Sequence, residues 1–291
     1  MCTTQIWIVI TFVIVSIFFW TEKKRPHKNV FVAFTFAMVL VVVFRDSSMA
    51  DYTHYYDSVV SNSGGDRFEP SFHFIRYIAN FTNYPWVVFC FVYACLSVCL
   101  RMIYIKNESS IFWGSVLVYI SNIFITQDMI AIRASVASAI LLYTIKYNLE
   151  GSRHKIILII LCASLFHYSA FLFSIVLFLD NEKRNRKIYI SFLLCSYFFA
   201  INGYTLGSFL YYIDNDYLTN NYILNSNIHS LNIFNLIQVG HILICILAWY
   251  YIDRIMIYDK ANLLYLKLYT LGIGMAVLYS DNVTLALRMS E

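Results

Sequence analysis

The chain has 291 residues, of which 60% are hydrophobic and only 13% are charged, and its formal net charge is +4. Soluble globular domains carry about a quarter charged residues, so this composition excludes an ordinary soluble fold. The basic residues follow loops and form no stripe with interleaved aromatics, so no nucleic acid is expected as a partner. The apolar runs are continuous and do not alternate, which predicts membrane helices and excludes strands.

Apolar runs of roughly span length follow one another along the whole chain. They cover residues 5–20, 30–44, 84–105, 110–126, 130–147, 154–179, 188–212, 233–252 and 261–280. The first run lacks a basic leader and a small-residue cleavage site, which indicates a retained span with its N-terminus outside. The sequence therefore predicts an all-α, polytopic integral membrane protein of about eight to ten membrane helices. No internal repeat or linker is visible, so residues 1–291 are expected to form a single domain.

The run 154–179 is the place where a simple count of spans fails. As one span it leaves "DNEKRNRK" outside, against the positive-inside rule. A hairpin of two short helices, with "FHYS" at its tip, divides the 21 Lys and Arg residues into 16 inside and 5 outside. Each arm would then reach about 17 Å, half a bilayer. We favour this broken or re-entrant hairpin, and a plain span is the alternative.

In the hairpin topology every basic residue on the outer side is an arginine, and every lysine lies inside. Arginine presents a planar fork that suits phosphate, which lysine does not. The outer arginines are Arg45, Arg67, Arg76, Arg133 and Arg288. This distribution supports an anion site on the outer face, although chance could also give it.

The segment 45–83 is predicted to lie outside and contains "FRDSSMADYTHYY" and "DRFEPSF". These stretches place Arg45, Asp51 and Glu69 beside the membrane. Pro70 and the aromatics after it predict a short helix that lies on the interface. The alternatives are an ordinary wet loop with an aromatic belt and, for Arg45, a snorkelling side chain at the end of a span.

Two later stretches place polar residues inside apolar runs. "QDMIAIRASVASAILLYTI" sets Gln127 and Arg133 on one face of a predicted helix, where a cation needs a polar cavity or a partner. A purely structural arginine is the alternative. His167 in "LFHYSA" lies at the predicted hairpin tip, and a hydrogen-bonded helix histidine is its alternative reading. Arg288 in "VTLALRMSE" and a second outer loop, 213–232, give weaker signals.

The chemistry that these residues suit is a reaction of a lipid-linked pyrophosphate. The sequence contains no Walker loop, GxSxG or HExxH motif, and its scattered cysteines predict neither a disulfide nor a zinc site. The outer surface of a cell lacks nucleotides, so a transfer there uses a membrane-embedded activated donor. Arginine stabilises the charge of a departing pyrophosphate. A carboxylate or a histidine can take the proton from an incoming sugar hydroxyl.

Taken together, these stretches resemble the EpsG-type oligosaccharide repeat-unit polymerases of bacteria, which include many Wzy-like O-antigen polymerases. The family pattern is an Arg followed by "DY..Y", an "EP" with an aromatic, an "R" after a Gln, and "FH.SA". All four occur in order within residues 44–170. The resemblance implies a GT-C-like glycosyltransferase of the bacterial inner membrane, with its site facing the periplasm. It would move a growing glycan from undecaprenyl pyrophosphate to a fresh lipid-linked repeat unit.

The resemblance also implies roles for individual residues. Arg45, Tyr52, Gln127, Arg133 and Arg288 would bind the substrate. Asp51 or Glu69 would be the base, with His167 orienting it or sharing protons. No cofactor and no metal are implied, and the partners would be undecaprenyl-pyrophosphate-linked oligosaccharides, membrane lipid, a flippase and a chain-length regulator.

Members of the family usually continue through one or two further spans, so a C-terminally incomplete chain is expected. The rival functions are a lipid-linked oligosaccharide flippase or other transporter, a transferase or ligase that uses a polyprenyl-phosphate sugar, and a structural membrane subunit. Transporters usually show repeats and charges at mid-membrane. The sequence shows no repeat, and its charges gather at one face, which favours an enzyme.

Overall fold

The computed structural model describes residues 3–21, 26–49, 51–61, 68–205 and 232–280. Every regular element in these residues is a helix, as the sequence predicts. The chain forms two compact units, residues 1–177 and 178–291. The single domain expected from the sequence stays a prediction. Arg288 and, apart from its last residue, the predicted outer loop 213–232 lie outside the described residues.

Most helices follow the predicted apolar runs in order, and two lie in the predicted outer segment 45–83. In the first unit they are α1 (Thr3–Thr21), α2 (Lys28–Val43), α3 (Tyr52–Val60), α4 (Pro70–Ala79), α5 (Pro85–Glu108), α6 (Phe112–Val118), α7 (Ile132–Leu141), α8 (Tyr143–Leu149) and α9 (Arg153–Ser164). Helix α6 continues as a π-helix over Tyr119–Asp128, and a 3₁₀-helix over Tyr168–Phe178 follows α9. In the second unit they are α10 (Arg186–Ile201), α11 (Leu236–Tyr250), α12 (Ile252–Tyr258) and α13 (Ala261–Leu278).

Within the described part of the chain, two helices are long and apolar enough to cross a membrane, namely α5 and α13. Helices α11 and α12 meet at 77° and would form a third span if the bent pair is counted as one. Other predicted spans are helical but divided, because the run 130–147 breaks between α7 and α8 and the run 154–179 breaks after α9. The sequence therefore predicted helices correctly but did not show these breaks, apart from the one in 154–179.

The segment 154–179 folds as a hairpin in the structure. Helix α9 and the 3₁₀-helix are separated by residues 165–167, where the sequence predicted the tip. The Asn148 side-chain amide, which lies just before α9, donates to the carbonyl of Val176 at 2.9 Å. Helix α9 alone is about 18 Å long at 1.5 Å per residue, so a straight continuation would place Val176 far from Asn148. The chain therefore returns to the end at which it entered.

An aromatic core joins α3, α4, α5 and α7 in the first unit. Phe72 of α4 and Phe89 of α5 are fully buried, with ring centroids 5.0 Å apart. Phe68 stacks on Phe72 at 4.0 Å, and Tyr93 of α5 meets Phe166 at the hairpin tip at 6.3 Å. Because each buried aromatic ring removes about 150–250 Å² from solvent, this core fixes the start of α4 against α5 and the hairpin tip.

In the second unit, α10 packs closely against α13. Gly274 of α13 faces the ring of Phe192 from α10, and a Cβ built at Gly274 would lie 3.0 Å from Cδ1 and 3.1 Å from Cζ of that ring, and closer still to Cε1. Lys267 of α13 is fully buried and donates its ammonium protons to the carbonyls of Asp180 and Lys183. The buried charge is thus satisfied by backbone dipoles of the turn that precedes α10.

The hairpin predicts that both of its ends lie on one side of the membrane. Reporter domains inserted after Gly151 and after Leu177 should therefore report the same compartment, which the positive-inside rule makes the cytoplasm. Alkaline phosphatase and β-galactosidase activities of the two sets of insertions measure this directly. Opposite compartments at the two positions would show that the segment crosses the membrane as a plain span.

The contact of Gly274 with Phe192 predicts that Gly274→Ala destabilises the second unit. Overpacking a tight contact costs about 1–3 kcal/mol, and the midpoint of thermal unfolding of the detergent-solubilised protein measures it. Gly240→Ala in α11 is the matched control, since a Cβ there meets no atom within 4 Å and alanine is the better helix former. Equal stability of the two variants would contradict the close packing.

Candidate functional site

A buried carboxylate lies where the predicted outer segment turns into α4. Pro70 occupies the first position of α4, where its fixed φ suits a helix and its missing N–H costs nothing. Proline also disfavours helical geometry in the residue before it, and Glu69 has extended backbone with φ −65° and ψ 157°. The Glu69 carbonyl accepts from the backbone N–H of Phe72 at 2.9 Å. Glu69 is only 2% exposed.

Arg133 from the first turn of α7 meets this carboxylate. Its Nη1 donates to Oε2 of Glu69, and its Nε donates to the hydroxyl of Tyr55 at 3.2 Å. The guanidinium carbon lies 4.8 Å from the ring centroid of Phe68 and 5.4 Å from that of Tyr55. Aromatic faces favour a cation that has left water. Arg133 is therefore paired, stacked and held in one orientation.

His167 reaches the same carboxylate from the hairpin tip. Its Nδ1 lies 2.9 Å from Oε1 of Glu69. The backbone N–H of Ser71 donates to the carbonyl of Leu165 at 3.2 Å, so the tip is also bound to the start of α4 through the main chain. These contacts join parts of the chain that lie about a hundred residues apart in sequence. The break after α9 thus presents His167 to the site.

The electrostatics of the cluster keep Glu69 ionised. Burial by itself would raise the pKa of this carboxyl group, but the hydrogen bond from His167 and the positive charge of Arg133 outweigh burial. The net result is a Glu69 pKa below its ordinary value. A carboxylate that is both buried and ionised needs such partners, because charge in a low-dielectric surrounding is otherwise unstable.

A second arginine, Arg45, has no such partner. It is 5% exposed, and within the described residues none of its three guanidinium nitrogens has a hydrogen-bond partner. Its guanidinium carbon lies 5.3 Å from the ring centroid of Trp86. The rings of Tyr52 and Tyr56 lie 4.8 and 5.5 Å from the same ring. Arg45 is therefore a buried cation over the ring of Trp86, which Tyr52 and Tyr56 contact in turn. These residues form a second cluster, distinct from the Glu69 cluster.

A third cluster lies between α5, the π-helix and α7. Arg101 of α5 is 3% exposed and donates to Asp128 at 2.8 Å, to Gln127 at 2.8 Å and to the Ser138 hydroxyl at 2.6 Å. Asp128 also accepts from the hydroxyl of Tyr119 at 2.7 Å. Each of these polar groups is satisfied, as buried polar groups generally are. The cluster fixes α7 against α5 from the side that faces away from Glu69.

The prediction that Gln127 and Arg133 address one site does not hold in the structure. Shared spacing places residues on one face only while the helix is continuous. The π-helix ends at Asp128 and α7 begins at Ile132, so the chain breaks between the two side chains. Gln127 is directed to Arg101 instead, and its role in substrate binding is not supported by this geometry.

The other predicted residues that the structure describes divide into three sets. Glu69, Arg133 and His167 come together, and Arg45 and Tyr52 form the second group. Asp51 begins α3, and we find no hydrogen bond or ion pair of its side chain within the described residues. Arg288 lies beyond the part of the chain that the structure describes.

Sequence reasoning missed several residues that complete these groups. They are Tyr55, Phe68, Trp86, Arg101 and Asp128. The charges of Arg101 and Asp128 inside or beside apolar runs were a usable signal, because such charges need a partner within the membrane. Arg101 falls near the end of the predicted run 84–105, and the structure places it within α5. No signal distinguished the three aromatic residues from the many others nearby.

Comparison with known families gives one match. The EpsG family matches residues 28–291 of the chain, which include all three clusters. No curated protein and no solved structure matches it.

The paired burial of Glu69 and Arg133 predicts a large loss of stability when the carboxylate is removed. Glu69→Ala leaves Arg133 largely buried without its counter-ion, which costs about 3–5 kcal/mol. The midpoint of thermal unfolding of the solubilised protein measures the loss. Glu150→Ala is the matched control, because Glu150 pairs with Lys155 at 3.6 Å on an exposed surface, where such pairs contribute about 0–1 kcal/mol. Equal losses in both variants would contradict the buried pair.

Proposed function

The chain belongs to the EpsG family, and from this membership and the geometry of the site we propose that it is a membrane glycosyltransferase. Its reaction is the polymerisation of oligosaccharide repeat units that are linked to undecaprenyl pyrophosphate, as in the synthesis of O-antigen or exopolysaccharide. It lies in the bacterial inner membrane, and its site faces the periplasm.

The observation that carries this proposal is the buried guanidinium of Arg45, whose nitrogens have no hydrogen-bond partner in the part of the chain that the structure describes. A cation removed from water without a counter-ion is unstable, so this group favours a ligand that supplies negative charge. Its contact with the face of Trp86 uses none of the five N–H donors. The oxygens of a pyrophosphate can accept two parallel hydrogen bonds from one guanidinium. Arg45 is therefore assigned to the pyrophosphate of the donor lipid.

The cluster of Glu69, Arg133 and His167 supplies the second function that the reaction needs, the removal of a proton. General bases in enzymes are carboxylates or imidazoles that neighbouring groups hold in a fixed geometry. The Arg133 charge is already neutralised by Glu69 in this structure, so Arg133 is a weaker candidate for the pyrophosphate than Arg45. The resemblance assigned both arginines to substrate binding, whereas the geometry supports a division between them.

The proposed step is a single displacement. A hydroxyl oxygen at the non-reducing end of the acceptor repeat unit attacks the anomeric carbon at the reducing end of the growing glycan. The new glycosidic C–O bond forms as the bond from that carbon to the pyrophosphate oxygen breaks. Undecaprenyl pyrophosphate leaves with the electron pair, and Arg45 stabilises its charge. The base cluster takes the hydroxyl proton, so no nucleotide, cofactor or metal is required by the balance of the step.

The surrounding chemistry follows from the substrate. The donor and the acceptor are both lipid-linked, so a flippase must deliver them to the outer leaflet and a chain-length regulator is an expected partner. Tyr52 lies against Trp86 beside Arg45, which supports a role for Tyr52 in holding the donor. Asp51 precedes Tyr52 in sequence, and its catalytic role stays a prediction.

The glycan pattern of cells tests this proposal. Cells that carry Arg45→Ala or Arg45→Lys should replace the ladder of long chains by a single repeat unit, since loss of a donor to a developing charge lowers turnover about 10²–10³-fold. Gel separation of the surface glycan measures this, with an immunoblot of the membranes beside it. Arg76→Ala is the matched control, because Arg76 is also an arginine of the predicted outer segment but donates to the backbone carbonyl of Ser58.

Three outcomes are informative. A single repeat unit in the Arg45 variants with normal protein, and a full ladder in Arg76→Ala, supports the polymerase and its anion site. A full ladder in the Arg45 variants would overturn the role of Arg45. A complete loss of surface glycan when the chain is deleted would indicate an earlier step and favour a flippase.

A further inference from the structure

Both carboxylate oxygens of Glu69 already have a partner, and the side chain is buried. Oε1 lies 2.9 Å from Nδ1 of His167, and Oε2 accepts from Arg133. The side chain is 3% exposed. A general base must come within about 2.6–3.2 Å of the proton that it removes, directly or through one water. A sugar hydroxyl cannot approach Glu69 in this way without displacing His167 or Arg133.

His167 has the complementary property, because among the described residues only its Nδ1 has a partner. Its Nε2 has no hydrogen-bond partner among the described residues, and its side chain is 17% exposed. It lies in the break between α9 and the 3₁₀-helix, next to Leu165 and Tyr168, which are 49% and 55% exposed. His167 therefore lies on a less covered side of the cluster than Glu69, whose side chain is 3% exposed.

The contact with Glu69 also decides which nitrogen is free to accept a proton. An ionised carboxylate only accepts hydrogen bonds, so Nδ1 must carry the hydrogen that it donates to Glu69. In the neutral imidazole the lone pair then lies on Nε2. When Nε2 becomes protonated, the same carboxylate stabilises the imidazolium, as the carboxylate of a Ser-His-Asp triad does.

We propose that Nε2 of His167 is the general base of the polymerisation, and that Glu69 and Arg133 are positioning residues. This inference rests on the proposed function. The proton of the acceptor hydroxyl passes to Nε2 as the glycosidic bond forms, and it leaves to solvent after undecaprenyl pyrophosphate departs. Arg133 holds Oε2 of Glu69 and so directs Oε1 to the imidazole.

This assignment differs from the one that the sequence supports, in which a carboxylate is the base and His167 assists it. The two assignments make opposite predictions for two conservative variants. His167→Asn keeps an amide N–H near the position of Nδ1, and with it the hydrogen bond to Glu69, but it lacks Nε2. Glu69→Gln keeps the size of the side chain and an oxygen that accepts from His167, but it lacks the charge.

The test uses the full-length protein in proteoliposomes, with lipid-linked repeat units extracted from cells that lack the polymerase as donor and acceptor. His167→Asn should lose about 10²–10⁴-fold in turnover, the usual contribution of general base catalysis. Glu69→Gln should keep more activity than His167→Asn. It should lower kcat and leave KM unchanged, because a positioning residue of the base acts only in the transition state. A merely structural role of Glu69 would loosen the site and raise KM as well.

The outcomes separate the inference from the function on which it rests. Lower activity of His167→Asn than of Glu69→Gln, with both proteins folded by thermal unfolding, supports the imidazole base. His167→Asn at least as active as Glu69→Gln would overturn it and return the role to a carboxylate. If Glu69→Gln does not fold, His167→Asn decides alone, and turnover within about tenfold of wild type overturns the inference. Absence of polymer with the wild-type protein would overturn the proposed function itself, and the inference with it.

Discussion

The burial of one ionised carboxylate constrains much of the first unit. Glu69 receives Arg133 from α7 and His167 from the hairpin tip, which lie 64 and 98 residues further along the chain. A buried carboxylate is stable only while both partners remain in place. The start of α4, the first turn of α7 and the tip of the hairpin therefore depend on one another, and a shift of any of them exposes a charge to an apolar surrounding.

Helix α7 is held from two sides, which explains why its first turn can carry an arginine that is paired with a buried carboxylate. Arg133 is directed to Glu69, while Ser135 and Ser138 meet Arg101 through their hydroxyls and the carbonyl of Ser135. The Arg101 cluster is satisfied internally and buried, which is the pattern of a structural network. It fixes α7 against α5, so the small residues of α7 serve close packing and the orientation of Arg133 at once.

The sequence predicted the elements well because apolar period and length determine where membrane helices form. It also predicted the hairpin, because the charge of "DNEKRNRK" conflicts with a plain span. The candidate site was predicted only in part. Glu69, Arg133 and His167 were identified singly, but their mutual contacts span too many residues to follow from local pattern. Gln127 was predicted to share a helix face with Arg133, because the spacing argument assumes an unbroken helix. The chain instead breaks between the π-helix and α7, and the composition of this segment gives no sign of the break.

Two arginines that look alike in sequence differ in the state of their charge. Arg133 is neutralised by Glu69 and stacked on Phe68, so its positive charge stabilises a carboxylate rather than a ligand. Arg45 is buried, yet within the described residues its guanidinium nitrogens have no hydrogen-bond partner, and the guanidinium lies over the ring of Trp86. A buried cation of this kind is stable in the presence of an anion and unstable without one. In the proposed reaction, the free energy that donor binding recovers at Arg45 would be available to hold the pyrophosphate as its charge develops, and the separate cluster at Glu69 would take the proton.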